Sequence, residues 1–210
     1  MNLLDADAVS KLAHWDLLDE LAALTGIPTA QTATLSSLVH RAEKSCEKAD
    51  GKLFQSTLAA ARAHSYLKHL PKLPPPAEDV LDLLQHVAGI DAGESVLLAT
   101  LVPRPEAILI TGDKRALAAL SRVASPTLLT AVAGRIITIE QVLLALLEAN
   151  RIEWLRERIC PFRSLDKAIG AVMGSSCLAS NESVREGLLS YIADMRSKTG
   201  NLLRTSPPFK

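Results

Sequence analysis

The chain has 210 residues, with 23 Lys and Arg against 23 Asp and Glu, and it is 48% hydrophobic but only 3% aromatic. That length holds one large domain, or a domain with an appendage, around a core of Leu, Ala and Val. A net charge of zero excludes a global polyanion-binding field, so any nucleic-acid contact has to come from a local patch.

Asn2-Leu3-Leu4 reads as a short, buried, central strand. Residues 7–23 read as a helix, with Val9, Leu12, Ala13, Leu17, Leu18 and Leu21 at helical spacing and a stop at Gly26. Ile27-Pro28-Thr29-Ala30 is a weak strand, and Pro28 puts it at or near a sheet edge because it has no N–H to donate. Helices are expected over residues 32–48 and 53–70, ended by Asp50-Gly51 and Pro71. Between Arg41 and Lys72 there are seven cations against three acids, with His64 and His69 in addition. This segment is either an ordinary solvated helix face or a patch facing phosphates. With Phe54 and Tyr66 as its only aromatics, base stacking has little support there.

Pro71-Lys72-Leu73-Pro74-Pro75-Pro76 is a stiff connector. A helix over 77–87 follows, then a helix over about 92–101, a strand over about 106–111 and a helix over about 114–122. Ser125-Pro126 opens a short helix that Gly134 ends. Arg135-Ile136-Ile137-Thr138-Ile139 is β-branched and forms the last strand. Helices over about 140–149, 151–159, 164–173 and 182–198 come next, and a loose tail from Gly200 with Pro207-Pro208 closes the chain. Strands alternating with helices predict an α/β fold with a small parallel sheet flanked by helices. The expected division is an α/β domain over 1–140 with a helical insertion at about 50–88, a helical C-terminal extension over 141–199 and a flexible tail over 200–210.

The cysteines, Cys46, Cys160 and Cys177, are odd in number and widely spaced, with no Cys-x-x-Cys. That pattern speaks against a disulfide framework or a zinc ribbon and for buried free thiols in a reducing compartment. Acids at Asp5 and Asp7 replace the basic start of a signal peptide, and the apolar runs fall short of the roughly 20 residues that span a bilayer. A cytoplasmic protein with no membrane contact is the expectation. His14, His40, His64, His69 and His86 are scattered without zinc-ligand spacing, and neither a P-loop nor a Gly-x-Ser-x-Gly occurs.

The acids have two readings. Asp91-Ala92-Gly93-Glu94 fits a capping box, and Asp7 and Asp113 can each cap a helix. Taken together they point to chemistry. Asp5 and Asp113 each follow an apolar strand, and in a parallel sheet such strand ends share one edge. Asp91 and Glu94 are three apart on one helical face. Carboxylates crowded there need a counter-charge, and Mg²⁺ or Mn²⁺ suits oxygen ligands and phosphate chemistry.

Leu3-Leu4-Asp5-Ala6-Asp7-Ala8-Val9 resembles the opening of a PIN domain. Ile90-Asp91-Ala92-Gly93-Glu94, followed by Leu97-Leu98-Ala99, is similar to the Leu-Asp-x-Gly-Glu segment of one PIN-like branch. Ile108-Leu109-Ile110-Thr111-Gly112-Asp113 resembles the family's closing strand-Thr-x-Asp motif. The resemblance covers residues 1 to about 140. It implies a metal-dependent nuclease, most often an endoribonuclease of toxin or defence type and less often a DNA nuclease. RNA, or DNA, an antitoxin or other protein partner, and a second copy of the chain are the implied partners. Asp5 and Asp113 would be metal ligands and Asp91 or Glu94 the third acid, so that Asp5, Glu94 and Asp113 carry catalysis. Asp7 would be a hydrogen-bonding or outer group, and Thr111 would orient Asp113. The sequence departs from the family at Ser37, where a Glu is common, with Glu43 two turns further on.

Two other classes fit parts of the chain. Asp5-Ala6-Asp7 matches the Asp-x-Asp of haloacid-dehalogenase-type phosphatases, with a nucleophile and a general acid, but Ala8 and Val9 stand where Gly and Thr are expected. A catalytically reduced, PIN-like interaction module is the other, with the acids as caps and the C-terminal helices as the binding surface.

Overall fold

The computed structural model describes residues 1–205. Its sheet has four strands: β1 (Asn2–Leu4), β2 (Thr32–Ala33), β3 (Ile108–Thr111) and β4 (Ile136–Thr138). The order is β2-β1-β3-β4 and every pairing is parallel. Each strand is therefore followed by a crossover through helices, and all strand C-termini point to one edge. The α/β class read from the sequence is the class observed. Pro28 lies just before β2, which does occupy a sheet edge.

The pleat divides the core into two layers. Leu4, Ile108, Ile110 and Ile137 face one side, while Leu3, Ala33, Leu109 and Ile136 face the other. The first side is covered by α1 (Ala6–His14), α2 (Glu20–Thr25), α3 (Ser36–Glu47), α4 (Thr57–Leu67), α9 (Ile139–Ala149), α10 (Ile152–Ile159), α11 (Lys167–Met173) and most of α12 (Asn181–Thr199). The second is covered by α5 (Glu78–Leu84), α6 (Ala92–Leu101), α7 (Lys114–Leu120) and α8 (Pro126–Val132). The C-terminal helices thus share one apolar cluster with β1 and α1.

Several expectations need correction. The helix read over 7–23 breaks after His14, because Asp16 adopts φ +57° and ends the helical path. The turn lets Trp15 and Leu17 both enter the core, and Arg62 holds Asp16 at 2.9 Å. The edge strand begins at Thr32, later than read, after a 3₁₀ turn over Thr29–Gln31. The stretch from Gly200 is not loose as far as Arg204. Leu202 and Leu203 are buried, Leu203 bridges Ile136 in parallel, and the Arg204 amide donates to the Ile136 carbonyl at 2.7 Å. These residues cover the otherwise open edge of β4, which is why an apolar pair in the tail becomes ordered. Pro207-Pro208 lies outside the described residues.

The thiols are also corrected. Cys160 and Cys177 form a disulfide with a Cα–Cα distance of 6.2 Å, and only Cys46 is free. A 3₁₀ turn over Cys160–Leu165 and α11 fold back on one another, which brings the two cysteines together. The argument for a reducing compartment drawn from these residues falls with that pairing. No helix among the described residues is long and apolar enough to cross a membrane.

Candidate active site

β1 and β3 are neighbours in register, with Leu4 opposite Ile110, so Asp5 emerges beside Thr111. Asp5 is the N-cap of α1. Its Oδ1 accepts the Ala6 amide at 2.6 Å and its Oδ2 accepts the Thr111 hydroxyl at 3.0 Å. The Asp113 amide donates to the same hydroxyl oxygen at 3.1 Å. Thr111 is thus the bridge between the acids of the two strands. Asp113 is the N-cap of α7, and its Oδ1 accepts the Arg115 and Ala116 amides at 2.8 and 3.0 Å. That leaves Oδ2, with the exposed Arg115 guanidinium 3.5 Å away.

Asp91 and Glu94 make the full capping box of α6. Asp91 Oδ1 accepts the Glu94 amide at 2.8 Å, and Glu94 Oε2 accepts the Asp91 amide at 2.7 Å. Glu94 and Asp5 line the same small cavity, whose other walls are largely apolar: Leu97, Leu98, Leu109, Ala116 and Leu117. Burial there pushes the Glu94 carboxyl up to about 7, with the neighbouring charges of Asp91, Asp113 and Asp5 adding to the shift. Burial likewise pushes Asp5 up to about 6; the Thr111 hydrogen bond opposes this, and Asp7 and Asp113 reinforce it. Asp5, Asp91, Glu94 and Asp113 therefore form one electrostatic group, and among the described residues no lysine enters it.

Asp7 sits apart from that group in its contacts. It faces Lys11, one turn along α1, at 2.6 Å, and Lys11 also meets Asp166 at 2.7 Å. Burial works against the charge on Lys11, but Asp7 and Asp166 outweigh it and its pKa is raised. Burial also opposes the charge on Asp166, and Lys11 outweighs it, so the Asp166 pKa is lowered. Gly112 leaves room for the Asp7–Lys11 pair. A Cβ at that position would stand 2.1 Å from Asp7 Oδ2 and 3.1 Å from Lys11 Nζ. A second pair joins Lys114, directly after Asp113, to Glu140 in the first turn of α9; Glu140 is 1% exposed.

Lys11, Asp166, Lys114 and Glu140 were missed from the sequence. Only Asp7–Lys11 had a local signal, the i,i+4 spacing of opposite charges on a helix. Ser37, where the resemblance would want a Glu, lies exposed in the first turn of α3. Glu43 is exposed and paired with His40 at 3.5 Å.

The donor set of Asp5, Asp91, Glu94 and Asp113 is all carboxylate oxygen, which suits a hard divalent cation. Among the described residues, no three ligating side chains already surround a common point. Glu94 and Asp91 are turned to each other's amides and Asp113 to the amides of α7, so binding a cation would draw on the oxygens left over from the caps. No family model matches the chain, and comparison with curated proteins and with solved structures finds no match to it.

Proposed function

We propose that the chain is a Mg²⁺- or Mn²⁺-dependent nuclease that hydrolyses phosphodiester bonds, with RNA as its substrate. The carrying observation is the pair of carboxylates Asp5, buried, and Glu94, half-buried, raised to about 6 and about 7 at the C-terminal edge of a parallel sheet, with no cation paired to either among the described residues. Asp5, Glu94 and Asp113 would hold the cation, with Asp91 completing the charge, and the likeness to PIN domains names the same acids. Held there, the cation supplies positive charge at the phosphate under attack and polarises water.

The residues around the acids have separate parts. The Thr111 hydroxyl fixes the Asp5 carboxylate and ties it to the Asp113 backbone. Lys11 and Asp166 hold Asp7 toward Gly112, at the margin of the group. The apolar walls of Leu97, Leu98 and Leu117 exclude water from the inner side of Asp5 and Glu94 and so strengthen their pull on a cation.

A second reading rests on the caps. Asp91, Glu94 and Asp113 are all satisfied by helix N-termini, which is what a PIN-like binding module without catalysis would keep. One assay separates the two. A labelled single-stranded RNA incubated with Mg²⁺ or Mn²⁺ should be cut by the wild type, spared in EDTA and spared by Asp5→Asn, whose circular dichroism should match the wild type. Cleavage by Asp5→Asn at the wild-type rate would overturn the site. Absence of both cleavage and any thermal shift with either cation would favour the binding module.

A further inference from the structure

Beside the acids, a groove of about 650 Å³ runs between the start of α3, the end of α4 and the proline connector. It adjoins the acid group on three counts. Thr34, on its wall, donates its hydroxyl to the Leu4 carbonyl at 2.7 Å, one residue before Asp5. Leu35, also on the wall, packs so closely on the turn before Glu94 that a Cβ at Gly93 would lie 2.8 Å from its Cδ1. Val96, two residues after Glu94 on α6, closes the inner end.

The connector is a fixed wall. The Ala77 amide donates to the Ala99 carbonyl at 3.0 Å, and the Arg104 guanidinium donates to the Pro75 carbonyl at 3.1 Å. Prolines at 71, 74, 75 and 76 remove backbone freedom along the connector that leads into those ties, so little entropy is lost when something lies along the wall. The lining is apolar at Leu35, Val39, Leu70 and Leu73, and among the described residues its only charged ones are Lys68 and Lys72. Both lysines are exposed, and neither makes an ion pair among the described residues.

Building on the nuclease reading, we propose that this groove is the track for the single-stranded RNA that flanks the scissile phosphate, with unstacked bases against the leucine and proline walls and backbone phosphates on Lys68 and Lys72. Two cations and no acid on an otherwise neutral molecule are complementary to a phosphate backbone. An apolar trough closed by a rigid wall takes splayed bases and shuts out a paired duplex, whose base faces are hidden. The helical insertion is thus what gives the sheet-edge acids a strand to work on. The start of α3, with Ser36 and Ser37 in place of a further acid, opens into the track.

The test reads binding without cleavage, in EDTA, by fluorescence anisotropy of a fluorescein-labelled single-stranded RNA of about 12 nucleotides. The double variant Lys68→Glu/Lys72→Glu should bind at least tenfold more weakly than the wild type. Its slope of log affinity against log salt should be shallower by about 1.4, the share of two phosphates on a single strand. Ser36→Trp, which fills the groove without changing charge, should also weaken binding at least tenfold, and a duplex of the same sequence should compete poorly. Unchanged binding or salt slope in the double variant would overturn the proposal, as would equal competition by the duplex. Circular dichroism of the variants checks the fold, and both lysines are exposed. Groove-dependent binding with no metal-dependent cleavage by the wild type would break the nuclease reading alone. Cleavage with groove-independent binding would break this inference alone.

Discussion

Carboxylates occupy two neighbouring regions at the C-terminal edge of the sheet under opposite conditions. On the β1–β3–α6 side, Asp5 and Glu94 face other acids in a largely apolar cavity, and both hold their protons to about 6 and about 7. On the α1–α11 side, Asp166 is also buried, yet its pKa is lowered, because the Lys11 ammonium is 2.7 Å away. Burial raises an acid's pKa in both places; the counter-charge decides the outcome. The region with its own buried cation is already complete and structural, and the region that only the exposed Arg115 approaches, at Asp113, has the electrostatic need for a cation from outside.

The largest effect on stability is expected where the compensation is removed. Lys11→Met leaves Asp166, still capping α11, buried and Asp7 half-buried without their counter-charge, and should cost about 3 kcal/mol. Urea denaturation measures it, and adding Asp166→Asn should return a good part of the loss. A cost below about 1 kcal/mol would mean that the two regions do not differ in the way described.

Next in size is the pH dependence of the acid group in the absence of divalent cations. In the native state Asp5 keeps its proton up to about 6, whereas in the unfolded chain it loses it near 3.8. The native state binds the extra proton in between, so stability is full below the unfolded value and declines as pH rises through about 6. The decline from Asp5 approaches roughly 3 kcal/mol. Glu94, which burial raises to about 7, declines over the same direction of pH by a smaller amount because solvent screens a half-buried group. The urea midpoint of Asp5→Asn minus that of the wild type should therefore grow from acid to mildly alkaline pH, and saturating Mg²⁺ should shrink it. A difference that stays flat with pH would refute the raised Asp5.

The smallest effect sharpens the choice between the two acids of the capping box. Asp91→Ala removes a cap and should cost about 1 kcal/mol. With Asp91 acting mainly as cap, its loss should leave Mn²⁺ affinity within a few-fold by calorimetry, while Glu94→Gln should lower it at least tenfold. The reverse ranking would make Asp91 the ligand and Glu94 the cap.

What the sequence determined by itself is the local and the periodic. Apolar strands ending on Asp5 and Asp113, the capping box at Asp91 and Glu94, and the helix at 92–101 depend on residues within a few positions of each other, and they are found as read. Strands separated by helices imply parallel pairing, and that pairing puts Asp5 beside Thr111. Only the tertiary structure decided the rest. Lys11 meets an acid 155 positions away, Glu140 comes to Lys114 across two adjacent strands, and Cys160 finds Cys177 through a folded turn. The break after His14 and the ordering of Leu203 against Ile136 likewise answer to the core and to an open strand edge. Caps and periods are settled by backbone bonds a few residues long. Which helix covers which face is settled by packing the whole apolar surface at once, and no local pattern encodes that.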